Sequence, residues 1–168
     1  MKSLTFLIVG LLSCLDVIAQ IEPRVSPKDL TKLIGDWKGT LTYLGYSTNK
    51  PFSMEANLKV LKGDRSNTFL FYNIYPYEPQ ANSIDTLLLS KEGKRFADED
   101  VTSKKKLRDG RLEVMTQIEG RDGNENNKAT IRHIYLISSA DFSKSKWVRF
   151  DGAQNWIKRN EYLFQKVK

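Results

Sequence analysis

Apolar and polar positions alternate with period two along most of the chain. Phe52, Met54, Ala56, Leu58 and Val60 alternate with Ser53, Glu55, Asn57 and Lys59, and Trp37, Gly39, Leu41 and Tyr43 alternate with Lys38, Thr40 and Thr42. Side chains two apart share one face of a strand, so each run predicts a strand with one buried face. Further strands are predicted over Thr68 to Tyr75, Ser83 to Ser90, a short stretch near Arg95, Val101 to Leu107, Arg111 to Glu119, Lys128 to Ser138, Lys146 to Phe150 and Arg159 to Val167. Turn chemistry separates them at Lys62-Gly63-Asp64, Glu92-Gly93, Asp109-Gly110 and Asp151-Gly152, with Asp109-Gly110 the strongest hairpin signal. Pro76 and Pro79 place Tyr75 to Ala81 in a loop, and Gly120 to Asn127 reads as another.

One short helix precedes the strands. Ser26 supplies an N-cap and Pro27 the first helical position, Leu30, Leu33 and Ile34 form one apolar side, and Gly35 ends it. No later segment repeats every 3.6 residues, so crossover helices, and with them parallel strands, are not expected. The predicted fold is all-β: an antiparallel up-and-down meander of about 8–10 strands closed into a barrel, with the short helix at one end. Closure pairs the last strand with the first.

Ahead of the helix, Lys2 precedes a stretch from Leu4 to Leu12 that is apolar but for Thr5 and Gly10, the pattern of a secretory signal. It is shorter than the ~20 residues of a membrane-spanning helix. Val17-Ile18-Ala19 before Gln20 predicts cleavage after Ala19, giving a signal over 1–19 and one barrel domain over 20–168. Leu11-Leu12-Ser13-Cys14 competes as a lipobox, which would leave the chain anchored through a lipidated Cys14. The expected location is periplasmic or extracellular, with an outer-membrane lipoprotein as the alternative.

Composition narrows the partners. The 168 residues suit one unit, and 8 Phe, 7 Tyr and 3 Trp suit a packed core. Cys14 is the single cysteine, so the mature chain relies on packing without disulfides, as bacterial exports commonly do. The net charge of +7 is unchanged by removal of the signal, because Lys2 and Asp16 cancel. Lys104-Lys105-Lys106 with Arg108 and Arg111 makes a basic patch around a hairpin, yet no aromatic-basic recognition motif accompanies it, and nucleic acid is not expected as a partner.

Gly35-Asp36-Trp37-Lys38-Gly39, opening the first strand directly after a short helix, resembles the Gly-x-Trp signature of lipocalins and related calycin barrels. The resemblance implies that Trp37 plugs the closed end and that an Arg from a late strand, Arg159 or else Arg149, lies across its ring. Fatty-acid-binding members use an Arg-x-Tyr pair on the final strand. Here Glu161 stands two places after Arg159 and Tyr162 three, so period two sends Arg159 and Tyr162 to opposite faces. Haem-binding barrels that resemble nitrobindin share Gly-x-Trp-x-Gly and use a His, for which His133 is the sole candidate.

His133 belongs to the face Ala129, Ile131, His133, Tyr135 and Ile137, which is expected to point inward, either as a core histidine or as a haem ligand. The remaining expected ligand contacts are Leu41, Tyr43, Phe52, Met54, Leu58, Phe69, Phe71, Val114, Tyr162 and Phe164. No Gly-x-Ser-x-Gly occurs and histidine is single, so an enzyme is not expected, a hydrolase or isomerase being the exception. Asp98-Glu99-Asp100 reads as a solvated turn. Asp122-x-Asn124-x-Asn126 has Asn127 and His133 where a calcium loop needs Gly and Glu, and no metal is expected. These readings converge on a barrel that binds a small apolar or amphipathic molecule and needs no cofactor. A filled-barrel envelope scaffold contacting partners through Phe69 to Tyr77 is the alternative, and a haem barrel the third reading.

Overall fold

The computed structural model describes residues 22–168, so the signal expected over 1–19 and the lipidation alternative at Cys14 lie outside the described residues. α1 (Pro27–Leu30) runs into a 3-10 turn, Thr31–Leu33. Asp29 Oδ2 accepts hydrogen bonds from the Ser26 amide at 2.6 Å and the Ser26 hydroxyl at 2.7 Å, which fixes the start of the helix. Leu30 and Leu33 are buried with Trp37, whose indole N–H donates to the Leu33 carbonyl at 2.7 Å. The helix thereby caps one end of the barrel.

Ten strands follow: β1 (Gly35–Leu44), β2 (Pro51–Lys62), β3 (Thr68–Ile74), β4 (Ser83–Leu88), β5 (Arg95–Phe96), β6 (Glu99–Lys106), β7 (Leu112–Asp122), β8 (Asn127–Ile137), β9 (Asp141–Phe150) and β10 (Ile157–Lys166). They form one antiparallel sheet in the order β4-β3-β2-β1-β10-β9-β8-β7-β6-β5. The expected pairing of last strand with first is present, with Trp37 opposite Lys166 and Leu41 opposite Tyr162. Period-two alternation is clearest on β2, where Ala56, Leu58 and Val60 are buried and Lys59 and Leu61 exposed.

The two sheet ends, β4 and β5, meet only near the helix-capped end. Leu89 bridges Phe96, the Ala97 amide donates to the Leu88 carbonyl at 3.1 Å, and the Ser90 amide donates to the Arg95 carbonyl at 2.9 Å. The chain turns back after Phe96 through Ala97 and Asp98, both at positive φ as a two-residue type I′ hairpin turn requires. Among the described residues, the Ser83–Thr86 part of β4 therefore has β3 on one side and no strand on the other. The barrel is nearly closed, with a gap in its wall.

Gly39 shows why the signature needs its second glycine. A Cβ there would lie 2.0 Å from the Leu163 carbonyl oxygen of β10. Gly35, at φ +130°, adopts backbone that L-residues rarely reach as the chain passes from helix turn to strand.

Several boundaries and one register depart from expectation. β9 begins at Asp141 rather than Lys146, and β7 runs to Asp122, so Gly120 to Asp122 are strand and only residues 123–126 turn. A bulge between Lys158 and Asn160 shifts the register of β10 against β9. The Asp109-Gly110 hairpin forms as predicted, with the Leu107 amide donating to the Arg111 carbonyl at 2.8 Å and Gly110 at φ +86°.

Candidate functional site

The barrel interior is stratified. At the helix-capped end Leu33, Val60, Phe69, Phe96, Val114 and Ile137 are fully buried, and Phe96 packs edge-on against Tyr135 with ring centroids 5.1 Å apart. That end is filled. Above it lies a cavity of about 170 Å³ bounded by β2, β3, β4, β9 and β10.

Its floor is apolar: Leu58, Phe71, Leu87, Phe142 and Phe164. Phe142 and Phe164 stack at 5.7 Å with their planes 13° apart, and Tyr162 stacks on Phe164 at 5.7 Å. The other wall is polar. Tyr75 and Tyr162 share a hydrogen bond at 2.9 Å, and Asn73 Nδ2 donates to Asp85 at 2.8 Å and to Ser83 at 3.0 Å. Burial raises the Tyr162 pKa, with Tyr75 and Asp85 adding to the effect, so this phenol stays protonated.

Lys144 completes the polar wall. β9 presents it inward between Phe142 and Lys146, opposite Tyr135 on β8 and Tyr162 on β10. Its ammonium stands 5.8 Å from the Tyr135 ring. Among the described residues no carboxylate lies within salt-bridge distance of it, whereas Lys146 contacts Asp122 at 2.5 Å. Burial holds the Lys144 pKa below the ordinary lysine value, Glu99 and Asp85 oppose this without reversing it, and Lys146 adds to it.

Two charged clusters flank the cavity. Glu99, buried on β6, accepts a hydrogen bond from Thr116, and its Oε1 lies 2.8 Å from His133 Nδ1. Burial would raise the Glu99 pKa, but His133, Thr116 and Lys144 together hold it below the usual carboxylate value. The expected solvated turn at Asp98-Glu99-Asp100 thus describes Asp98 and Asp100, which are exposed, and fails for Glu99, which the hairpin turns inward. The second cluster, toward the open end, centres on buried Asp122, which meets Lys146 at 2.5 Å, Arg159 Nε at 3.2 Å and the Tyr46 hydroxyl at 3.0 Å.

Arg159 was expected over Trp37, and the structure places it elsewhere: over Tyr46 at 4.6 Å and against Asp122. The cation above the Trp37 ring is Lys166, at 5.0 Å, its register partner across β1 and β10. Arg149, the second candidate, lies over Trp156 at 4.9 Å. The bulge also removes the expected opposition of Arg159 and Tyr162. Both reach the interior, at different heights.

Of the expected ligand contacts, Leu58, Phe71, Tyr162 and Phe164 line the cavity together. Phe69, Val114 and Tyr135 fill the capped end, and Leu41 and Met54 pair across β1 and β2 beside it. Tyr43 and Phe52 pack with their rings tilted, centroids 5.4 Å apart, on the open rim, 38% and 52% exposed. Ile131 lies opposite Ile118 and Val148, away from the cavity, and His133 faces Glu99. The sequence reading missed Lys144, Asp85, Tyr75, Asn73 and Ser83. A signal existed for the first: Phe142, Val148 and Phe150 share the parity of Lys144 and Lys146 and bracket them.

The basic hairpin patch is largely paired. Lys104 contacts Asp29 at 2.7 Å, Lys105 contacts Glu113 at 3.0 Å and Arg111 contacts Asp109 at 2.7 Å. Among the described residues no helix is long and apolar enough to cross a membrane, and no group of three His, Cys, Asp or Glu could hold a metal ion.

No family model and no curated protein matches the sequence. In structure the chain is similar to Rv2717c from M. tuberculosis, with a TM-score of 0.55 and 12% identity over 87% of this chain and 100% of that one. A protein of unknown function from the DUF3598 family of Nostoc punctiforme PCC 73102 gives a TM-score of 0.45 and 11% identity, covering 87% of this chain and 51% of that one. The chain spans about half the length of the Nostoc protein. The likeness to Rv2717c is one of fold.

Proposed function

We propose that the protein is an exported lipocalin-like barrel that holds a small amphipathic molecule in the cavity beside Lys144. The observation that carries this reading is a cavity of about 170 Å³ with an apolar floor and a single polar wall. A dry cavity of about 150 Å³ accepts benzene, and drug-sized pockets begin near 300 Å³. The occupant is accordingly one ring or a short chain with one polar end, smaller than a long-chain acid. Its apolar body lies on Phe142 and Phe164 and its polar end faces Lys144 and the Tyr75–Tyr162 pair. Binding rather than turnover is the role, since the only histidine is committed to Glu99.

Native mass spectrometry of protein purified from its host, followed by solvent extraction, tests this. One small molecule per chain is expected, absent from a Leu58→Trp variant in which the floor is filled. If nothing co-purifies and benzyl alcohol leaves the melting temperature unchanged, the cavity has no ligand role.

One feature favours a second reading, a scaffold with a protein partner. The outer face of β2 to β4 carries Leu61, Leu70, Ile84 and Leu88 beside the unpaired edge of β4, with Ile84 60% exposed. Tyr77, in the adjoining loop, is 79% exposed. Cross-linking in cells to a single protein, lost in Ile84→Lys, would support it.

A further inference from the structure

We propose that Lys144 is a covalent anchor, its amine condensing reversibly with the carbonyl of a ring-sized aldehyde or ketone held on the Phe142–Phe164 floor. The inference rests on the cavity reading above and adds the chemical class of the ligand. Four observations support it.

First, position: Lys144 stands where the apolar floor meets the polar wall, so a ring lying on Phe142 and Phe164 brings a substituent to the amine. Second, pairing. Lys146, two residues on and facing the same way, is neutralised by Asp122, and Lys104 by Asp29, while Lys144 has no such partner among the described residues. A structural interior lysine is normally paired.

Third, protonation. The groups facing Lys144 are Tyr135 from β8, Tyr162 from β10, Glu99 from β6, Asp85 from β4, Lys146 on its own strand, and Tyr75 from the β3–β4 loop. Burial outweighs the two carboxylates, and a lowered lysine pKa increases the neutral amine that attacks carbonyls. Fourth, a second group serves the oxygen. Of the two hydroxyl protons in the Tyr75–Tyr162 pair, one is used in their mutual bond and the other remains to be donated to a ligand oxygen.

The step balances without an oxidant or reductant. The Nζ lone pair forms the C–N bond as the carbonyl π bond opens. A proton passes from nitrogen to oxygen, and the carbinolamine then expels water to leave the C=N bond. The gap beside Ser83–Thr86 gives a small carbonyl compound a way in.

The test uses benzaldehyde with cyanoborohydride on the full mature protein near pH 7, about three units below the ordinary lysine pKa, so that exposed lysines are mostly protonated. Peptide mapping is expected to show Lys144 labelled several-fold faster than any other lysine, in the direction that its lowered pKa sets. Benzyl alcohol, an isostere without the carbonyl, should protect it, and Lys144→Arg should abolish the fast phase. Lys144 labelled no faster than the surface lysines would overturn the proposal. If benzyl alcohol then still raises the melting temperature, the cavity reading survives alone; if it does not, both readings fall. The wild-type map decides the matter even where the variant folds poorly.

Discussion

Tyr75 and Tyr162 meet hydroxyl to hydroxyl at 2.9 Å, joining the β3–β4 connection to β10 beside the cavity that both residues line. A partly buried hydrogen bond of this kind contributes about 0.5–1.5 kcal/mol. Tyr75→Phe is expected to lower the unfolding free energy by about 1 kcal/mol and to speed amide exchange over residues 75–82. Urea denaturation and hydrogen exchange check it. Unchanged exchange would mean that the loop is held by other contacts.

Gly39 is held to glycine by the approach of β10. A methyl group placed 2.0 Å from the Leu163 carbonyl oxygen must push β1 and β10 apart. Overpacking of this type costs about 1–3 kcal/mol, and here it also disturbs the ladder on both sides of Trp37. Gly39→Ala should therefore lose at least that much stability, read from the denaturant midpoint.

Asp122 faces Lys146 and Arg159 with almost no solvent. Removing one partner from a buried charged cluster costs about 3–5 kcal/mol, because the remaining charges lose their compensation. Asp122→Ala is expected in that range. Asp122→Asn, which retains acceptor oxygen for Tyr46 and Arg159, should cost less, and equal losses would show that the retained acceptor contributes nothing once the charge is gone.

Acid should unfold the protein through Glu99 and Asp29, whose pKa values are both held below normal in the folded state. Groups shifted this way contribute fully above their unfolded values, 4.5 and 3.8 in these two cases, and lose the contribution as pH falls through the lower folded values. The melting temperature should accordingly hold from neutral pH to about 5 and then decline. Glu99→Gln should melt lower at neutral pH yet decline less steeply in acid, and parallel curves for variant and wild type would contradict the assignment.

The wall of the barrel was legible because burial of one face writes itself into alternation. Phe52 to Val60, Asp109-Gly110 and Ser26-Pro27 each specify their local structure with residues a few places apart. The polar lining was not, since a charge at an inward position looks like any other charge until cross-strand neighbours are known. Lys144, Asp85 and Asp122 each sit in an alternating run with buried residues, but the strand boundaries expected at Lys146 and Glu119 leave Lys144 and Asp122 outside their strands. Arg159 misled for a different reason. One extra residue in the β10 bulge changes where a side chain reaches, and nothing local in the sequence announces it. Register across β1 and β10 likewise decided that Lys166 covers Trp37.

The β1–β10 ladder has a consequence for the order of assembly. Trp37 receives its second flanking strand from residue 166, so a chain emerging N-terminus first can build β1 to β4 and β5 to β9 only as two open sheets, which β10 then joins. Joining segments so distant in sequence is slow, because loop closure entropy is lost before contacts compensate it. The polypeptide thus remains incompletely folded, with β1 and β9 each lacking a neighbour, until β10 has been synthesised.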